Sequence, residues 1–148
     1  MSKETESADL IIKLYELRRE ATMREARNWF ISFFPESAED IMRTMVDPQT
    51  SAYYRMATTY WDMAAGFVNR DAIDEAMFLD SGNECWVIFS KVQPYLEKVR
   101  ESLGDAGYLQ NLESLMMRQP NALEKCQYRR ELMKRWMAAR SEMTATAG

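Results

Sequence analysis

Apolar residues recur every three or four positions along most of this chain, and this spacing constrains the fold more than any other feature of the sequence. Residues three and four apart share one face of an α-helix, so such a stripe predicts a helix that buries one side. The chain has only five glycines and four prolines among its 148 residues, so there are few points at which a helix must break. No stretch shows the sustained two-residue alternation of a strand. The pattern therefore predicts an all-α fold. The clearest stripe consists of Cys85, Phe89, Val92, Leu96, Val99 and Leu103.

Prolines, glycines and capping residues divide this pattern into a compact bundle of about four long helices and two or three short ones. We expect long helices over residues 8–34, 47–69, 84–103 and 121–141, and short ones over 37–45, 73–79 and 108–118. Pro94 should kink or split its helix, because a proline inside a helix removes a hydrogen bond and clashes with the preceding turn. Gly104 is expected to cap the end of the same helix.

The chain length predicts one domain spanning residues 1–148, since single domains most often contain about 100–150 residues. Ser7 is expected to cap the start of the first helix. Residues 1–7 and 144–148 are then expected to be disordered tails.

Charge is unevenly distributed in this sequence. The formal net charge is −4, whereas residues 121–140 contain six cations and only two carboxylates. An acidic chain is a poor general binder of polyanions, so we expect no nucleic-acid partner. Apolar runs are too short to cross a bilayer, so we expect no membrane partner and a cytoplasmic location. The basic C-terminal segment favours self-association or docking onto a partner.

The residue types that this chain lacks exclude several kinds of active site. Histidine is absent, which excludes a Ser-His-Asp triad, a Cys-His pair and imidazole metal ligands. The glycines are scattered, so the glycine-rich loops that hold phosphates are also absent. Cys85 and Cys126 lie in apolar helical contexts and are expected to be buried free thiols. We expect no cofactor, and the sequence favours a non-enzymatic protein.

One enzymatic alternative remains open at this stage. Glu36 with Glu39, and Asp71 with Asp74, are carboxylate pairs spaced three residues apart, as in all-α nucleotide hydrolases that use Mg²⁺. Such a pair projects from one side of a helix and is able to share a hard cation. Both pairs also fall at predicted helix starts, where acids cap free N–H groups and oppose the helix dipole.

A second alternative is a helical bundle that binds a small apolar ligand between its helices. Four aromatic residues, Trp61, Phe67, Trp86 and Phe89, are candidates to line that space. Asp62 interrupts an aromatic segment, and we expect it on the outer side of its helix with Thr58.

The last helix carries more apolar surface than one face is able to bury. Its expected core face consists of Tyr128, Leu132, Trp136, Ala139 and Met143. The chain contains twelve methionines. Those of the last helix that lie beyond this face favour a contact with another subunit. Our first hypothesis is therefore a cytosolic helical interaction protein that forms a homo-oligomer, most simply a C2 dimer. Its interface candidates are Met133, Met137, Trp136, Arg129 and Arg130.

Four short segments resemble an uncharacterised bacterial family of small all-helical proteins. They are residues 14–20 (LYELRRE), 26–30 (ARNWF), 60–65 (YWDMAA) and 107–113 (GYLQNLE). The resemblance implies an all-α domain of unknown function that covers most of the chain. It implies no catalytic residue.

Overall fold

A computed structural model describes residues 2–147, and within that range all regular secondary structure is helical. The all-α prediction is therefore confirmed. The helices are α1 (Lys3–Arg18), α2 (Ala21–Ile31), α3 (Ala38–Val46), α4 (Ser51–Asn69), α5 (Glu75–Asp80), α6 (Glu84–Val92), α7 (Leu96–Leu103), α8 (Gln110–Met117) and α9 (Ala122–Ala147), with a 3₁₀ turn at Gln93–Tyr95.

Helices α4 and α6 form the centre of the packing. Helix α4 contacts α2, α3 and α8, while α6 contacts α8 and α9. Almost every residue of α6 is buried, because neighbouring helices cover it on all sides. Helix α1 packs mainly on α5. Gly66 of α4 allows α8 to approach closely, since a Cβ there would lie 3.2 Å from the Asn111 side chain of α8.

The predicted break at Pro94 is confirmed. The chain passes from α6 through the 3₁₀ turn Gln93–Tyr95 into α7, so the apolar stripe continues across the break with Val92, Leu96 and Val99 all buried. Gly104 ends α7 in the left-handed conformation, with φ 65°, which is the expected cap.

The single long helix expected over residues 8–34 is wrong. Glu20 is extended, and its carboxylate accepts a hydrogen bond from the backbone N–H of Met23 at 2.8 Å, so it caps a new helix. The apolar residues on the two sides of this point lie on different helix faces, and the break allows Leu14 of α1 and both Ala26 and Phe30 of α2 to be buried.

The start of α1 also differs from its prediction. The helix begins at Lys3 with Ser2 as its cap, whereas Ser7 is fully buried and accepts a hydrogen bond from the backbone N–H of Asp74 at 2.8 Å. Residues 3–7 are thus helical, and Ser7 packs on the segment before α5. At the other end α9 continues to Ala147. Met1 and Gly148, the outermost residues of the expected tails, lie outside the described range.

Helix α4 begins later than the sequence indicated. Asp47 and Pro48 form a turn, in which the N–H of Gln49 bonds to the Asp47 carboxylate at 2.8 Å. The helix then starts at Ser51. On this helix Tyr54 is buried and Phe67 is exposed.

Candidate functional site

Helix α9 consists of a packed half and an exposed half. Residues 122–133 lie against α6 and α8, and their inward side chains Ala122, Cys126 and Met133 are buried. Residues 134–147, which we name the C-terminal arm, are exposed apart from the half-buried Met137. At 1.5 Å per residue the arm is about 21 Å long.

The side of α9 that faces the core is not the predicted one but lies about 100° around the helix from it. Tyr128 is 55% exposed, Trp136 60% and Met143 72%. With the half-buried Leu132 and the exposed Ala139, these side chains fall within about 80° of the helix circumference. We call these five residues the outer stripe. The sequence has apolar residues on both of these faces of α9, and packing against α6 decides which of the two is covered.

The interface candidates from the sequence therefore separate into two groups. Met133 is buried within the chain, and Arg130 donates from Nη1 to the carbonyl oxygen of Ser90 on α6 at 2.8 Å. Arg129 and Met137 are half-buried on the same inward side. Trp136 is the candidate that lies on the exposed side, so it is the one that an incoming partner meets.

Charged residues border the outer stripe of the arm on both sides. At 100° per residue Arg135 and Glu142 lie on one edge of the stripe, and Arg140 lies on the other. No ion pair involving these three residues is formed within the described part of the chain. These side chains are therefore available to pair with groups on a second molecule.

The carboxylates of the hydrolase hypothesis are not brought together. Asp74 caps α5 by accepting from the N–H of Met77 at 3.0 Å, and Asp71 pairs with Lys3. Glu36 and Glu39 are exposed beside the start of α3. Across residues 2–147 no cluster of three or more potential metal ligands is found. The alternative explanation, that acids at helix starts serve as caps, is confirmed for Asp74.

The aromatic residues of the ligand hypothesis do not share one cavity. Phe67 is exposed, while Phe89 is fully buried in the core. The cavity beside Trp61 measures about 30 Å³, which is room for little more than a water molecule. Trp86 lines a separate groove beside Lys125 and Tyr128.

Asp62 has a structural role that the sequence analysis missed. It faces inward on α4, where its Oδ1 accepts the backbone N–H of Leu112 at 2.9 Å. Asn111 also donates to this carboxylate, at 3.4 Å. Thr58, one turn earlier, is buried instead of exposed as predicted. The spacing of four residues between Asp62 and Gly66 was a usable signal, because a glycine within a helix indicates a close contact on the face that the two residues share.

Two further charged side chains with little solvent exposure connect helices to one another, and neither was predicted. Lys91 on α6 donates to the last carbonyls of α2, at Phe30 and Ile31, both at 2.8 Å. Glu84 at the start of α6 accepts a two-pronged bond from Arg27 Nε at 2.9 and 3.0 Å, and it also pairs with Arg18 at 3.3 Å. Sequence periodicity does not reveal such contacts, because the partners lie on helices distant in sequence.

Comparison with known proteins identifies a family. A family model for a domain of unknown function, DUF4760, matches residues 5–119. The chain belongs to the DUF4760 family. The resemblance to an uncharacterised helical family is thereby confirmed. The DUF4760 match covers most of α1 and all of α2 to α8, whereas α9 begins beyond it.

No curated protein and no solved structure matches the chain. None of the described helices combines the length and the apolar character that crossing a membrane requires.

Proposed function

We propose that the protein is a non-enzymatic, cytosolic interaction protein that forms a homodimer through the outer stripe of α9. The observation that carries the proposal is the exposure of Tyr128, Trp136 and Met143 along one side of one helix. Scattered apolar side chains are ordinary on a protein surface, but a contiguous row with an aromatic anchor is characteristic of contact sites.

The exposed position of the arm also supports a partner. An isolated helix shorter than about 12–15 residues is marginal in water, and most helical stability in proteins comes from packing an apolar face. The arm receives little such packing from its own chain, because Met137 is half-buried and every other residue of 134–147 is exposed. A second copy that covers the outer stripe would supply the missing burial, and the same surface on both subunits suits a two-fold dimer.

A pair of neighbouring alanines on the arm gives a matched test. Ala139 belongs to the outer stripe, whereas Ala138 points about 100° away, toward the polar side; both are exposed. Ala139→Glu and Ala138→Glu add the same charge and have the same cost in helix propensity. We expect light scattering to show a dimer for the wild type and for Ala138→Glu, and a monomer for Ala139→Glu, at micromolar concentrations.

Two results would contradict the proposal. A wild-type chain that remains monomeric at high micromolar concentration would exclude the dimer. Equal masses for the two alanine variants would place the contact elsewhere on the molecule. Circular dichroism of each variant shows that loss of mass is not loss of fold.

A further inference from the structure

The outer stripe is complementary to itself when two arms run in opposite directions. If the two-fold axis passes between residues 137 and 138, Trp136 of one copy lies opposite Ala139 of the other. Leu132 then lies opposite Met143 in the next layer. The largest side chain of the stripe thus meets the smallest, which is how facing helices fill the space between them.

The charged residues beside the stripe form different contacts in the antiparallel and the parallel arrangement. In an antiparallel helix pair, residues on matching edges face each other, so Arg135 of each copy meets Glu142 of the other. In a parallel pair opposite edges meet, so Arg140 would face both Glu142 and Arg135 of the other copy. Edge charges of this kind contribute to the orientation of paired helices. Two-fold symmetry forms the attractive Arg135–Glu142 contact twice in the antiparallel dimer, whereas the parallel dimer would combine attraction between Arg140 and Glu142 with repulsion between Arg140 and Arg135.

We propose that the arms of two chains pair antiparallel, with Trp136 against Ala139 and Arg135 against Glu142 across the interface. This inference rests on the proposed dimer and specifies its geometry. It also assigns a role to the basic C-terminal segment, in which Arg135 pairs with a carboxylate of the other copy.

Charge reversal on the arm tests the orientation. Arg135→Glu places like charges opposite each other in the antiparallel dimer, so we expect the dimer to weaken about tenfold, since two such contacts change from attraction to repulsion. The double variant Arg135→Glu with Glu142→Arg restores the pairs and should recover the wild-type dissociation constant. Sedimentation equilibrium provides the constants.

The parallel dimer makes the opposite prediction for the same variant. There Arg135→Glu creates an attraction to Arg140 and tightens association. Tighter binding, or no change, would overturn the antiparallel geometry while leaving the dimer itself intact. A wild-type monomer would overturn both.

Disulfide trapping gives an independent readout. Leu132→Cys and Met143→Cys proteins are mixed and mildly oxidised, and intact mass identifies the products. The antiparallel dimer brings residue 132 beside residue 143 of the other copy, so we expect the mixed product. Two copies of residue 132 then lie about 16 Å apart along the axis, too far for a disulfide.

The two native cysteines do not interfere with disulfide trapping. Cys85 and Cys126 are buried, and burial raises the pKa of the Cys85 thiol to about 12 and that of Cys126 to about 11. Since the thiolate is the reactive form, both remain inert in the folded chain. A product made of two Leu132→Cys chains would instead show parallel arms.

Discussion

Lys91 shows how one residue joins two helices without a carboxylate partner. Its ammonium is almost fully buried and lies over the Phe34 ring at 4.1 Å, while Nζ donates to two carbonyls at the end of α2. Burial lowers the pKa of Lys91 to about 7. A neutral amine still has two N–H groups, which suffice for both carbonyls. The contact therefore persists on both sides of this pKa.

The lowered pKa predicts a pH dependence of stability. Between pH 7 and about 10.5 the folded state holds Lys91 neutral while the unfolded state holds it protonated. Unfolding then takes up a proton, so the free energy of unfolding rises with pH by up to about 1.4 kcal/mol per unit from this group. Below pH 7 both states are charged and this slope vanishes.

Urea denaturation of Lys91→Met across this pH range checks the prediction. We expect the difference between wild type and variant to shift in favour of the wild type as pH rises from 7 to 9. Lys98→Met, which removes an exposed lysine from the next helix, should follow the wild-type curve. Parallel curves for wild type and Lys91→Met would show that the pKa of Lys91 is not lowered.

At the scale of elements, the start of α8 depends on a side chain from α4. The helix is entered through Leu109 in the left-handed conformation, with φ 54°, and it has no local side-chain cap. Asp62 supplies one from a neighbouring helix by accepting the N–H of Leu112. The same carboxylate thus joins α4 to the first turn of α8.

Replacing this cap should destabilise the fold measurably. We expect Asp62→Ala to lower the free energy of unfolding by about 1–2 kcal/mol, because the N–H of Leu112 loses its acceptor. Asp62→Asn retains an acceptor oxygen and should lose less. Asp80→Ala removes an exposed acid at the end of α5 and serves as the control in thermal unfolding. Equal loss in Asp62→Ala and Asp80→Ala would argue against the capping role.

Some elements could be predicted because their signals are local. The break at Pro94 and the cap at Gly104 each follow from a residue and its neighbours within one helical turn. The break at Glu20 was missed because an acidic residue in the middle of a helical pattern is normally interpreted as one that faces solvent. Only its hydrogen bond to the N–H of Met23 shows it to be a cap.

At the scale of the whole molecule, α9 divides into a part that packs on the core and a part that is exposed. Cys126 and Met133 cover α6, whereas residues beyond Lys134 are almost entirely exposed. A chain shortened to residue 134 should therefore keep its fold, while one shortened to residue 120 should lose stability, because α6 becomes exposed.

Thermal unfolding and light scattering check both truncations. The chain of residues 1–134 is expected to unfold within a few degrees of the full chain and to be monomeric. The chain of residues 1–120 is expected to unfold at a much lower temperature. Retention of the dimer by residues 1–134 would remove the arm from the interface.

The sequence by itself determined that this chain is helical, where prolines and glycine end its helices, and that both thiols are buried, since these depend on periodicity and on residues close along the chain. The tertiary structure alone decided which face of α9 is covered, and it alone joined Asp62 to α8 and Lys91 to α2. Those outcomes depend on contacts between helices far apart in sequence. An apolar stripe shows that a face will be buried if a neighbour is present, and only the packing shows whether that neighbour lies in the same chain.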